Sequence, residues 1–250
     1  MRWDERQRAM LEEIGVRLWL PDVTAPLAAA ADAPVLVERR RHEIEHVAEV
    51  DADGSDVPAL DWPALAEGAA GCTACALCAG RTHSVFGAGN LQADWLIVGD
   101  APDADDDRSG VPFDGSAGRL LDNMLAAIEL TRGPAAPELQ VYVTRAVKCL
   151  PPGRRNPEPG EVARCAPFLR RQVELLQPRI IVAMGRIAAQ GLTCSAEAIG
   201  KLRGRVHRYR DVPLVVTYAP EYLLRHPQDK AGAWDDLCLA LQVVKEDRSG

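Results

Sequence analysis

Four cysteines stand where thiolates could gather around a metal centre. Cys72 and Cys75 form a C-x-x-C in GCTACALC, Cys149 ends VYVTRAVKC, and Cys165 lies in EVARCAPFL. A C-x-x-C offers two thiolates from one turn of chain, and thiolates are the ligands that iron–sulfur clusters and structural zinc sites take. Pro151 and Pro152 stiffen the loop that presents Cys149, while Cys165 falls in a helical pattern further on. The residues leave three readings open: an iron–sulfur cluster, a four-thiolate zinc site, or cysteines that fill a core. The other three, Cys78, Cys194 and Cys238, sit in apolar or helical contexts and are expected as buried small hydrophobes.

The elements that must position these thiols read as alternating strands and helices. Asp61 can cap a helix over WPALAEGAAG, with Pro63 in its first turn, running into the C-x-x-C. Four apolar runs have the profile of buried parallel strands: DWLIVGD (94–100), QVYVTRAV (140–147), PRIIVAMG (178–185) and VPLVVTYAP (212–220). Helical patterns separate or follow them over 116–130, 161–177, a short turn after 185, and 229–244. This order predicts an α/β fold, a parallel four-stranded sheet sandwiched between helices. In such a sheet the loops at the carboxyl ends of the strands bind ligands.

The composition excludes some classes. At 250 residues, 47% hydrophobic and 26% charged, the chain has the make-up of an ordinary globular domain with an appendage. No apolar run approaches the ~18–20 residues that span a bilayer, and the start lacks an apolar signal core, so a cytoplasmic protein without a membrane partner is expected. The net charge of −7 is not that of a generic DNA binder. Most of it lies in front: residues 1–58 hold 7 Lys+Arg against 13 Asp+Glu, the rest 22 against 23. Basic residues cluster locally, at Arg145, Lys148, Arg154, Arg155 and Arg164 and again at Lys201, Arg203, Arg205 and Arg208, which keeps DNA among the expected partners.

From about residue 62 to 244 the chain resembles the iron–sulfur (family 4) uracil-DNA glycosylases. GDAPDADDDRSGVPFDGSAGRLLDNML looks like that family's G-E-A-P-G…G-x-P-F-x-G-x-A-G element, VYVTRAVKCLPPGRRNPEP like its Y-x-T-N-x-x-K-C-R-P-P element, and TYAPEYLLRHP like its H-P-x-x-L-L-R element. The resemblance implies a [4Fe–4S] cluster on Cys72, Cys75, Cys149 and Cys165, a base-stacking ring at Phe113, and a duplex wedge at Leu224 and Arg225. It also implies losses. The base-reading asparagine corresponds to Arg145, the histidine that would steady the departing base to Ala219, the close-approach glycine to Asp103, and a glutamate to Asp100. Arginine has donors only, and a methyl group cannot donate to an oxyanion. These changes, with Asp105, Asp106 and Asp107 adding carboxylates beside the site, predict no catalytic residues.

The front segment carries a second likeness. DERQRAMLEEIGVRLWLPD resembles the N-terminal peptide of the psi subunit of bacterial DNA polymerase III. Leu11, Ile14, Val16, Leu18 and Trp19 give an amphipathic stretch that could anchor in a partner's groove. The expected organisation is a partner-binding peptide over 1–21, a linker or arm over 22–58, and a glycosylase-like iron–sulfur domain over 59–250. Together these readings predict a non-catalytic adaptor in DNA replication, with clamp-loader (tau/gamma) and chi subunits as partners. The alternative is a divergent, active uracil-DNA glycosylase of base-excision repair that uses Asp100, or an aspartate of 103–107, to position water.

Overall fold

The structure is a computed structural model, and it describes residues 57–247. The peptide residues Leu11, Ile14, Val16, Leu18 and Trp19, and the arm up to residue 56, lie outside the described residues.

The described elements run, in chain order, α1 (Trp62–Gly71), β1 (Ala88–Gly89), β2 (Trp95–Gly99), α2 (Ala104–Ser109), α3 (Gly115–Ala126), β3 (Val141–Arg145), α4 (Pro159–Leu176), β4 (Ile180–Met184), α5 (Arg186–Thr193), α6 (Ile199–Leu202), β5 (Val206–Tyr209), β6 (Val212–Thr217), α7 (Pro220–Arg225) and α8 (Lys230–Asp247). Local chemistry sets several boundaries. Asp61 caps α1 by accepting from the Ala64 amide at 3.1 Å, and Glu161 accepts from the Glu158 amide at 2.7 Å where α4 begins.

The strands form one sheet in the order β1-β3-β2-β4-β6-β5. The four central strands are parallel, as the apolar runs predict, and register is fixed by pairs such as Gly99 with Arg145 and Gly99 with Met184. The sheet is wider than the expected four strands. Short antiparallel strands β1 and β5 close its two edges. They lack a buried apolar run because each leaves alternate residues in solvent.

Side chains alternate across the central strands. Leu96, Val98, Ile181, Ala183, Leu214 and Val216 face α4 and α5, where Leu169, Val173, Ala188 and Leu192 meet them. Trp95, Ile97, Val141, Val143, Ile180 and Val182 face α3 and α8, against Leu121, Leu125, Leu237 and Ala240. With both faces covered, the sheet presents only its strand ends to solutes. A third apolar cluster joins α1 to α4 through Leu65, Ala69, Phe168, Cys149 and Cys165. Among the described residues no helix is long and apolar enough to cross a membrane.

Candidate functional site

The carboxyl ends of β2, β3, β4 and β6 open into one cleft of about 890 Å³, lined among others by Asp100, Arg145, Gly185, Ala219 and Glu221. Asp100 follows β2 directly. Its Oδ1 accepts from the Ala188 amide in α5 at 2.8 Å. Gly185 turns at φ 110°, and a Cβ there would run into the Asp100 carboxylate, so the chain brings bare backbone against this group. Burial pushes the Asp100 carboxyl up to about 6. Nearby Glu221 adds to the rise, and the Ala188 and Ile187 amides and Arg145 hold it back. The result is a carboxylate poised near neutrality on the floor of a cleft.

Arg145 ends β3 and points back into the molecule. It is 1% exposed. Its Nε donates to Asp106 Oδ2 at 2.7 Å, its Nη2 lies 2.7 Å from the same oxygen, and its Nη1 lies 2.8 Å from Glu221 Oε1. The two arms of this clamp differ. Asp106 is fully buried and receives an aligned hydrogen bond, whereas Glu221 is partly exposed and its Oε1 has close contact without hydrogen-bond alignment. The guanidinium lies over the Phe113 ring, 3.8 Å from its centroid. The resemblance implies that a base stacks on this ring, and the Arg145 guanidinium covers one of its faces.

Phe113 is held there by several devices. It adopts φ 56° and is fully buried. Arg132 Nη1 donates to the carbonyls of Pro112 at 3.1 Å and Phe113 at 3.0 Å, and Asp122 accepts from the same guanidinium at 2.7 Å. Gly118 lets α3 pass against the Phe113 carbonyl, where a Cβ would collide.

The run of aspartates is not one acidic patch. Asp103 caps α2, accepting from the Asp105 and Asp106 amides at 2.9 and 3.0 Å. Asp105 pairs with Arg108, Asp106 binds Arg145, and Asp107 accepts from the Thr82 amide at 2.9 and 3.0 Å. Only Asp103 and Asp105 of the run line the cleft. The sequence missed α2 because it reads as charge. One helical turn there distributes the carboxylates to opposite sides.

The basic stretches also divide. Arg145 and Lys148 are buried, and Arg203 pairs with Asp236 at 2.6 Å. Arg154, Arg186 and Arg225 are exposed on the cleft rim. Leu224, beside Arg225 at the end of α7, is 45% exposed, and Ala219 caps that helix without a side-chain donor.

The four predicted thiols come together at a second place, beside the loop that follows β3. Cys72, Cys75, Cys149 and Cys165 line one small cavity with Cys78, Arg81, Lys148, Arg164 and Phe168. Arg81 Nη1 donates to Cys149 Sγ at 3.1 Å, and the Lys148 amide donates to Cys165 Sγ at 3.2 Å. Burial pushes the Cys165 thiol up to about 11 and raises Cys149 as well, against the pull of Lys148 and Arg81 respectively. Such thiols ionise when a metal replaces the proton. Among the described residues no three His, Cys, Asp or Glu side chains converge as they would on a single metal ion. Cys78 is therefore not a plain core residue, since it borders the thiol cavity. Cys194 is exposed at the end of α5, correcting its expected burial.

Comparison with known proteins places this geometry among relatives. The model of the uracil DNA glycosylase superfamily matches residues 86–238. A type-4 uracil-DNA glycosylase of Archaeoglobus fulgidus is 38% identical over 165 residues, 63% of this chain and 80% of that protein. One of Pyrobaculum aerophilum is 36% identical over 188 residues, 72% of this chain and 93% of that protein. A type-5 uracil-DNA glycosylase of Thermus thermophilus is 38% identical over 117 residues, 43% of this chain and 53% of that protein. These likenesses overturn two expectations. Relatives at 35–38% identity bear the name type-4 uracil-DNA glycosylase, which points away from a replication adaptor of the clamp loader and away from a chain without catalysis.

Proposed function

The chain belongs to the uracil DNA glycosylase superfamily, and from that premise we propose that it is a uracil-DNA glycosylase acting in DNA repair. The observation that carries this reading is Asp100. It sits at a strand end, anchored by the Ala188 amide, facing a cleft wide enough for a nucleotide. Cleaving the bond between uracil and deoxyribose needs a water at the sugar carbon and relief of the charge that builds there as the base departs. An ionised Asp100 does both: it accepts a proton from the water and faces the cation-like sugar. Ala219 supplies no donor to the departing base, which is expected to cost ~10²–10³ in rate relative to a site that has one.

In the closed arrangement Arg145 fills the stacking place, so a base enters only when the guanidinium leaves. The partly exposed Glu221 arm is the one that yields, because it belongs to α7, the helix that also carries Leu224 and Arg225 to the rim. DNA held by Arg154, Arg186 and Arg225 and touching Leu224 would pull on that arm. Breaking one side of a buried ion pair costs about 3–5 kcal/mol, within what several phosphate contacts repay at low salt.

Cys72, Cys75, Cys149 and Cys165 fit an iron–sulfur cluster of the [4Fe–4S] type. In support, four thiols and two N–H···S donors border one cavity, and thiolates are the ligands such clusters take. The cluster would tie α1 and α4 to the loop after β3, and the thiolates supply its iron ligands.

The test is uracil release from a single-stranded oligonucleotide carrying one uracil, read as abasic sites cut by alkali. Release at low salt that falls steeply as salt rises is the expected result. The reading fails if no release occurs at low salt from either this protein or a variant whose stacking place has been cleared of Arg145.

A further inference from the structure

Lys148 is 2% exposed, and its ammonium is enclosed by neutral acceptors: Thr144 Oγ1 at 2.6 Å, the Arg145 carbonyl at 2.7 Å and Gln172 Oε1 at 2.8 Å. Among the described residues no carboxylate pairs with it. A cation taken out of water without an anion is one of the costliest arrangements in a protein. Three hydrogen bonds satisfy its protons but leave its charge unbalanced. The Phe86 ring lies 5.9 Å from its Nζ, and the place where anions could gather to balance it is the thiol cavity that the residue lines. Lys148 lines it together with Cys72, Cys75, Cys149 and Cys165, and its own amide donates to Cys165 Sγ. Arg81 and Arg164 border the same cavity, but both have neighbouring solvent, and Arg164 Nη1 is already spent on the Ala74 carbonyl. Lys148 is the cation on the protein side.

We propose that Lys148 is the buried counter-cation of a thiolate-bound iron–sulfur cluster and the positioning residue that joins that cluster to the base pocket. The proposal rests on the cluster reading given above. A cluster held by four thiolates is a net anion, and a fixed ammonium beside it favours both its retention and its more reduced, more negative state. The same ammonium holds the Arg145 carbonyl and the Thr144 hydroxyl. The end of β3, which aims the Arg145 side chain at Phe113, is therefore fixed from behind by a group whose charge the cluster balances. Thr144 Oγ1 and Gln172 Nε2 in turn donate to the Phe86 carbonyl at 2.7 and 2.9 Å, so the polar knot is fully tied when the lysine is charged.

The experiment compares the full chain with Lys148→Met and Gln172→Glu, all purified without oxygen. Iron per chain, the rate of visible bleaching by an iron chelator, the midpoint potential and the melting temperature are measured. Lys148→Met removes the charge. Gln172→Glu leaves the lysine in place and neutralises it with a carboxylate at the Oε1 position, so it decides the matter should the first variant fail to fold. Both are expected to bleach faster by about ten- to a hundred-fold, the range for partners that support metal ligands, and to shift the potential in the negative direction. A merely structural lysine would lower the melting temperature and leave the potential of the remaining cluster unchanged, and that result overturns the proposal. A chain that holds iron and whose variants match it in bleaching and potential overturns it while leaving the cluster reading intact. A wild-type chain reconstituted with iron and sulfide that binds neither overturns both.

Discussion

Replacing Asp100 by asparagine is expected to lower uracil release by about 10²–10⁴-fold, the usual contribution of a positioned acid or base, and to make the protein more stable at neutral pH. The two effects share one cause. Asparagine keeps an acceptor for the Ala188 amide but carries no charge. The Asp100 carboxyl is raised from 3.8 to about 6 by burial, with Glu221 adding to the rise. Below 3.8 it is protonated in the folded and unfolded chains alike and imposes nothing. Between 3.8 and about 6 the folded protein keeps a proton that the unfolded chain releases, so stability falls as pH rises through that window. Above about 6 the full penalty persists, at most ~3 kcal/mol and less for a group that meets solvent in the cleft. Activity should run the opposite way, rising as pH passes about 6 and Asp100 ionises. Melting temperatures and excision rates across the acid-to-neutral range, on both proteins, check the pair. An Asp100→Asn protein that releases uracil at the wild-type rate with the wild-type pH profile would remove Asp100 from the mechanism.

The second large effect concerns the guanidinium over Phe113. The double variant Arg145→Asn with Asp106→Asn is expected to release uracil about 10²-fold or more faster than the parent chain. Opening the closed site requires parting Arg145 from the Glu221 arm, about 3–5 kcal/mol, and a site that is open only in a small fraction of molecules has its rate reduced by that fraction. The second substitution is needed because Arg145→Asn alone would strand the fully buried Asp106 without its cation. The amide oxygen introduced by Asp106→Asn can still accept from the Asp114 amide, as Asp106 Oδ1 does at 2.9 Å. Single-turnover excision on the same oligonucleotide gives the ratio. A double variant that folds and is slower than the parent would show that Arg145 assists the chemistry from where it lies.

The sequence reveals the sheet's interior more readily than its margins or its site. WLIVG, VYVTR, IIVAM and VPLVVT are apolar almost without interruption because both their faces are covered, and such runs stand out against any background. Ala88–Gly89 and Val206–Tyr209 escape notice because edge strands bury little. The four thiols are legible because their spacing is local on one side and their chemistry narrow. Cys78 is not, since nothing in its neighbours distinguishes a cavity wall from a core. The aspartates of 103–107 mislead because net charge is visible in a string of letters, whereas the caps and ion pairs that absorb it depend on a helix with no apolar stripe to announce it. Arg145 is the hardest case. Its type shows what the position has lost, but the carboxylates that bind it, Asp106 and Glu221, are far away in sequence on both sides. Only the folded chain reveals that the arginine turns inward and lies on the ring.

An inhibitor covalently attached to its enzyme never dilutes. Arg145 is such an occupant: its local concentration beside Phe113 is set by the chain and not by the cell. On the proposed function, free uracil, nucleosides and nucleotides would compete against it at a disadvantage that a strand of DNA, gripping several points at once, overcomes.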